Sequence, residues 1–429
     1  MMKNGVTKIQ LANGLTVHLK EIHSAPLISH WVWYKVGARD EETGRTGLSH
    51  WVEHMQFKGT HKYPAGELDK AISREGGEWN AMTSLDWTAF YEKLPTDRID
   101  LALDLEADRM VNSRFDPEEV ESERTVIISE REGHENEPLF RLDEAVQRLA
   151  FDRHPYRIEV IGEMEDLRRI TRDDLYNHYR RYYTPDNAVL ALAGDFSTDE
   201  MLKKVEQVYG SLPAGGAVKR AVECEPPLQE ERRVTVTGPE LTSYLRISYR
   251  SPQATHSDFF PFLIADSLLA GPAGLNRFGG GGITNKTSRL YQALVERELA
   301  VVVGAGLQAT LDPYLYDVTA IVHPAQTPET VLAVYDDEIK RLQDQPVSAE
   351  EIARAVKQAR AMFVYGSENI SNQAFWMGYA EMFASYAWFE NYLDELEKTT
   401  PADVQRIAQT YLLPERRVVG AYLPEGKEA

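Results

Sequence analysis

The chain has 429 residues, of which 43% are apolar, enough for two or three domains that each bury a core. Its formal charge of −20 repels phosphate backbones and excludes nucleic acid as a partner; the acidity keeps the surface soluble and draws cationic peptides. A single cysteine, Cys224, excludes both a disulfide framework and a cysteine metal cluster, so any metal must be held by histidines and carboxylates.

No apolar run reaches the roughly 18 to 20 residues of a membrane span, and the opening MMKNGVTKIQ lacks the apolar stretch of a secretory signal. The chain reads as soluble, cytoplasmic, or periplasmic if a signal has been removed. In chain order, LTVHLKEI and ISHWVWYKVG read as strands. A helix follows over LSHWVEHMQF, with Thr46 as N-cap and Gly59 at its end. WNAMTSLDWTAFYEKL reads as a hairpin of strand formers.

DPEEVESERTVIISEREGHENEP is a strongly marked helix: Asp116 caps it, Pro117 takes the first helical position, and Glu119 completes a capping-box-like start. Further on, TRDDLYNHYRRYYTPDNAV (171–189) aligns without gaps with TPADVQRIAQTYLLPERRV (400–418). Thr171 meets Thr400, Asp174 meets Asp403, Tyr182 meets Tyr411 and Pro185 meets Pro414. Each copy is a helix, a Pro-marked turn and an apolar strand, VLALAGDF or VVGAYLP. The chain is therefore two similar halves, 1–220 and 221–429, joined by a Pro- and Gly-rich linker at about 211–232. The fold class is α+β: each half is a mainly antiparallel mixed sheet with helices packed on one face.

His50 and His54 are four residues apart, one helical turn, so both imidazoles can address one point. Glu53 lies between them, near enough to take a proton from a water on the metal without being a ligand. A third ligand is needed, and without cysteine a carboxylate from another helix is the candidate. In the 116–138 helix Glu123 and Glu130 lie two turns apart on a face shared with Val126 and Ile127, which should be buried; a carboxylate there needs a partner. This reading leaves both Glu123 and Glu130 open as the third ligand.

The motif His50-Trp51-Val52-Glu53-His54, the glutamate helix and the duplicated halves resemble the pitrilysin or insulinase family of inverzincins, in the two-half type of mitochondrial processing peptidase. GLSHWVEHMQFKGT, GGEWNAMTSLDWTAFYE, ERTVIISE, HPYRIEVIGEMEDL and YTPDNAVLALAGDF carry the likeness across most of residues 5–200, and GGGGITNKTSRLYQALVERELA carries it more weakly beyond. The resemblance implies a metalloendopeptidase holding one Zn²⁺ per chain on His50, His54 and Glu130. Glu123 supports a histidine ligand, and Glu53 is the general base activating a zinc-bound water against the scissile carbonyl. It also implies a peptide substrate lying as an added strand along a sheet edge at Asn80, Ala81 and Met82. From its residue type alone, Asn80 is equally an ordinary turn-to-strand residue.

The chain departs from the family in its second half. Where single-chain members carry an Arg and a Tyr in strings such as LREKRGLAYS, this chain reads LVERELAVVV: Val295 and Val301 stand at those places, and one residue between them is missing. Valine donates no hydrogen bond to a developing oxyanion. The chain thus looks like the zinc-bearing subunit of a heterodimer whose homologous partner brings the Arg-Tyr pair; a homodimer using other donors is the competing arrangement. The alternative function is that of a non-catalytic structural or assembly subunit, as in respiratory-complex core proteins of the same family.

Three further segments carry no chemistry in this reading. GGGITNKT (280–287) nearly matches a phosphate loop but has Asn285 where a glycine must precede the lysine, and it reads as a mobile connection. His154 precedes Pro155 with no neighbouring ligand and reads as structural. The aromatic stretch 375–396 has helical spacing and reads as core or subunit interface.

Overall fold

A computed structural model of the chain describes residues 5–218, 220, 222–272 and 285–426. They form two compact units. Unit one takes in Met1–Arg131, Ile158–Val222 and Ser367–Glu390; unit two takes in Glu132–Arg157, Glu223–Gly366 and Asn391–Ala429. Each unit therefore holds one short segment from the other half of the chain.

Unit one is built on a sheet of six strands: β1 (Val6–Gln10), β2 (Thr16–Glu21), β3 (Leu27–Tyr34), β4 (Glu78–Thr83), β5 (Thr88–Pro95) and β6 (Ala188–Gly194). Their order is β1-β2-β6-β3-β5-β4, antiparallel throughout except for the parallel pair β2 and β6. The expected hairpin is β4 and β5, and β4 is an edge.

Side chains alternate across β3, and both of its faces are covered. His30 meets Tyr209 of the helix Thr198–Tyr209, whereas Trp31 and Trp33 meet Phe375 of the helix Ile370–Phe383. That second helix lies so close that a Cβ on Gly378 would come within 2.1 Å of the Trp33 ring. As far as Glu390 the aromatic stretch thus packs in the core of unit one, and from Asn391 it belongs to unit two, where Tyr392 meets Phe260 and Phe363. The cover of the helix Ile370–Phe383 explains why β6 is buried at every residue, beyond what helices on one face would achieve.

Unit two has a five-stranded sheet of β7 (Arg232–Gly238), β8 (Tyr244–Arg250), β9 (Ala300–Leu307), β10 (Leu315–Val322) and β11 (Arg417–Pro424), in the order β7-β11-β8-β10-β9. This repeats the order of unit one with β1 left off, and again a single pair, β7 and β11, is parallel. The helices Arg172–Tyr182 and Pro401–Tyr411 both open on a capping box, Thr171 with Asp174 and Thr400 with Asp403. The register agrees as well: Tyr34 of β3 faces Ala188, and Tyr249 of β8 faces Arg417, the residue that matches Ala188 in the repeat. The chain is two homologous α+β halves.

The linker is irregular but anchored within each unit. Asp186 accepts the N–H groups of Gly215 and Gly216 in unit one, and Glu225 accepts those of Asp152, Arg153 and His154 in unit two. Among the described residues no helix is long and apolar enough to cross a membrane.

Candidate metal centre

The helix bearing the motif runs Leu48–Met55 and buries Leu48, Trp51, Val52 and Met55, which leaves His50 and His54 on its more open side. Thr46 is not its cap, contrary to the local sequence pattern. Gly47 holds that place at φ 87, where a Cβ would meet the Ile161 carbonyl at 2.6 Å. The capping oxygens come instead from Glu41, whose carboxylate accepts the N–H groups of Gly47 and Ser49 at 2.6 and 2.7 Å. The Thr46 hydroxyl donates to Asp166 at 2.7 Å and accepts the Glu163 N–H at 2.9 Å. Burial pushes the Glu41 carboxyl up to about 8, against the pull of those backbone bonds. Gly59 lies beyond the helix, which ends at Met55 with Gln56 as C-cap.

The helix Pro117–Glu135 brings the two candidate carboxylates to this face. Ile127 is buried with Glu123, but Val126 is 47% exposed, so the shared face runs through 123, 127 and 130 and turns Val126 to solvent. Glu123 accepts from His54 Nδ1 at 2.8 Å and also pairs with Lys58. That bond leaves His54 Nε2 as the free ligand atom. Glu130 Oε2 lies 3.8 Å from His50 Nε2 and 3.8 Å from His54 Nε2. The three residues offer ligand atoms within 4.8 Å of one another, and they are the group able to hold a metal ion among the described residues. With bonds of about 2.0–2.2 Å to nitrogen and carboxylate oxygen, a tetrahedral zinc fits after a small closure. Of the two alternatives, Glu130 joins the group and Glu123 holds its histidine.

Electrostatics agree with this division. Burial pulls His54 down, but the Glu123, Glu53 and Glu130 carboxylates outweigh it and raise its pKa. Burial likewise raises Glu123, yet His54 and Lys58 reverse the balance and hold it below the usual carboxylate range. Glu53 is 8% exposed; burial pushes its carboxyl up to about 7, while the Thr83 hydroxyl, donating to Oε2 at 2.6 Å, pulls the other way. Thr83 ends β4, so the edge strand and the motif helix meet at this bond. Asn80, Ala81 and Met82 lie on that strand, and the Asn80 side-chain oxygen accepts the Ala81 N–H at 2.8 Å.

Glu41, Asp166 and Thr83 escaped the reading of the sequence because each reaches the helix from a distant or irregular stretch. Lys58 could have been found, four residues after His54. In the second half the departure takes a definite form. Val295 closes a π-turn, Tyr291–Val295, Glu298 turns the chain at φ 57, and Val301 stands 52% exposed on β9, the edge of its sheet. His154 is structural: it is buried, faces Asp312 at 3.2 Å, and accepts the Tyr156 N–H. In the glycine-rich stretch, residues 280–284 lie outside the described residues.

A His, His, Glu group beside a buried glutamate, on a duplicated α+β fold, is a candidate metal centre with a carboxylate in reach of a metal-bound water. Comparison with known proteins makes the family specific. The insulinase (peptidase family M16) model matches residues 16–163, and the peptidase M16 inactive domain model matches residues 169–359. The chain belongs to the M16, or insulinase, family of peptidases. It is 29% identical to an uncharacterized zinc protease of Mycobacterium leprae over 95% of this chain and 89% of that protein. It is 26% identical to a probable mitochondrial-processing peptidase subunit beta of Arabidopsis thaliana, over 96% of this chain and 77% of that one. Among solved structures, a protease from Helicobacter pylori has the same fold, with a TM-score of 0.89 at 24% identity over 98% of this chain and 100% of that chain.

Proposed function

We propose that the chain is a zinc metalloendopeptidase subunit that hydrolyses peptides bound in extended form. The observation that carries this is the convergence of His50, His54 and Glu130, with Glu53 beside them. Zinc held there would supply a Lewis acid and bring the pKa of a bound water toward neutrality. Glu53, buried beside the group, would take a proton from that water and return it to the leaving amine. Thr83 fixes Oε2 of that carboxylate and leaves Oε1 to handle the proton. Glu123 keeps His54 in the tautomer whose Nε2 faces the site.

The peptide adds as a strand to β4, where the Ala81 N–H exchanges the Asn80 side chain for a peptide carbonyl. Affinity then rests on the peptide backbone along Asn80, Ala81 and Met82. The metal group and this edge belong to the half 1–220, and the half 221–429 lacks the motif. Because Val295 and Val301 donate no hydrogen bond, a homologous partner supplies the Arg-Tyr pair for the oxyanion, and the working enzyme is a heterodimer. Retention of Glu53 with its Thr83 partner weighs against a purely structural subunit.

The test is cleavage of a long fluorogenic peptide by the purified chain, alone and with a homologue bearing the Arg-Tyr pair. The chain alone should be slow, and the pair fast. Glu53→Gln should lower the rate of the pair by about 10²–10⁴ with zinc retained. Efficient cleavage by the lone chain removes the two-subunit reading; activity that survives Glu53→Gln removes the mechanism.

A further inference from the structure

Unit two contains a recess of about 240 Å³ whose lining has no carboxylate. It lies where β8 ends at Arg250 and runs on through Ser251 and Pro252, beside the end of the helix Pro401–Tyr411 and the turn at Arg416, and Leu228 and His256 also line it. In a chain with 67 acidic and 47 basic side chains, two guanidiniums and an imidazole around one mainly apolar recess run against the composition.

Neither guanidinium forms an ion pair among the described residues. Arg250 donates to the Ala150 carbonyl and lies 3.9 Å over the Phe151 ring, while Arg416 makes one long bond, 3.4 Å, to the Thr410 carbonyl. The acids that act on Arg250 from farther off are already engaged: Glu225 with three backbone N–H groups, and Asp152 with Arg232 at 2.7 Å. Burial pulls the Arg250 guanidinium down to about 10, and those acids only partly offset it. A desolvated cation without a counter-ion is a state that an anion relieves.

The duplication supplies a second observation. In the register common to both sheets, Arg250 follows Tyr249 as Lys35 follows Tyr34, and Arg416 precedes Arg417 as Asn187 precedes Ala188. At that place in unit one a guanidinium is received. Arg220 donates to the Lys35 carbonyl, to Asn187 Oδ1 at 3.0 Å and to Asp40 at 2.7 Å. In unit two the acceptor Asn187 is replaced by the donor Arg416, and the recess stays open. The place has the opposite polarity from its counterpart.

We propose that this recess binds a small organic anion, with a carboxylate set between Arg250 and Arg416 and an apolar body against Leu228, Pro252 and Tyr411. Its volume lies below the roughly 300–1,000 Å³ of pockets for drug-sized ligands, which restricts the occupant to a compact group. A free apolar acid and the C-terminal residue of a peptide share this chemistry. The recess is lined by residues of unit two and shares none with the metal group, which belongs to unit one.

The experiment is calorimetric titration of the full chain with 4-phenylbutyrate, with its neutral analogue 4-phenylbutan-1-ol, and with N-acetyl-Ala-Phe as free acid and as amide. One acid should bind at one site per chain, about tenfold or more tighter than its neutral analogue. Arg416→Gln, at an exposed residue with one long hydrogen bond, should weaken acid binding by a similar factor with the far-UV spectrum unchanged. His54→Ala, which alters the metal group, should leave it intact. Tighter binding of the peptide acid assigns the site to peptide C-termini; tighter binding of phenylbutyrate assigns it to free acids. Equal affinity for acid and alcohol, absence of saturable binding, or unchanged binding in Arg416→Gln overturns the proposal, and loss in His54→Ala reassigns the ligand to the metal.

Discussion

Replacing Glu123 by Gln tests the division of labour between the two glutamates. The carboxylate is 6% exposed at its side chain and sits 2.8 Å from His54 Nδ1, with Lys58 on its other oxygen. Gln keeps the volume and one acceptor but loses the charge that both partners use, and the amide must turn its nitrogen toward one of two donors. A hydrogen bond to a charged group contributes about 1.5–3 kcal/mol, and supports of metal-binding histidines typically alter metal affinity by about 10–100-fold. Zinc affinity should therefore fall by roughly 10–100-fold, with stoichiometry held at one per chain. The assay is competition against a fluorescent zinc chelator, run beside Glu130→Gln, which should lose most binding. Unchanged affinity in Glu123→Gln, or greater damage there than in Glu130→Gln, would refute the assignment of Glu130 as ligand and Glu123 as support.

Two further outcomes follow from groups outside the metal ligands. Thr83→Val removes the hydroxyl that holds Glu53 at 2.6 Å while keeping the side-chain shape. Peptide hydrolysis should lose about tenfold in kcat with KM and zinc content unchanged; an equal loss in KM would mean that the strand, not the base, was disturbed. In the helix Phe259–Ala270, Asp266 is buried beside Tyr316, and burial pushes its carboxyl up to about 7 from 3.8. An acid raised on folding keeps its proton longer in the folded state, so its contribution to stability is full below about pH 4 and is lost as pH rises toward 7. Asp266→Asn, which stays neutral, should raise stability at pH 8 by roughly 2–4 kcal/mol and give no gain at pH 4 in denaturant titrations. A variant less stable at both pH values would contradict the buried-acid account.

What could be read from the sequence was local or periodic. The four-residue spacing of His50 and His54 needs one helix turn, and the Thr-Asp capping boxes at 171–174 and 400–403 mark a duplication that sheet order and register bear out. The glutamate pair was legible as a pair, yet periodicity could not separate a ligand from its support, because that depends on where the other helix places His54. The same periodicity put Val126 on the buried face, although it turns to solvent while Ile127 is buried. The start of the motif helix was misread because Thr46 has the right residue type, while its hydroxyl is taken up by Asp166 and the N–H groups of Gly47 and Ser49 are capped by Glu41. The exchanged segments were invisible for a related reason. The helix Ile370–Phe383 is apolar around most of its circumference, which signals burial but not which sheet it covers.

The account stands most directly on the zinc content of the purified, fully folded chain, measured by elemental analysis after dialysis against metal-free buffer. It predicts about one zinc per chain in the wild type and in Glu53→Gln, and near loss in His54→Ala and Glu130→Gln. Wild-type protein without zinc, or zinc retained equally by His54→Ala and Glu130→Gln, would contradict it.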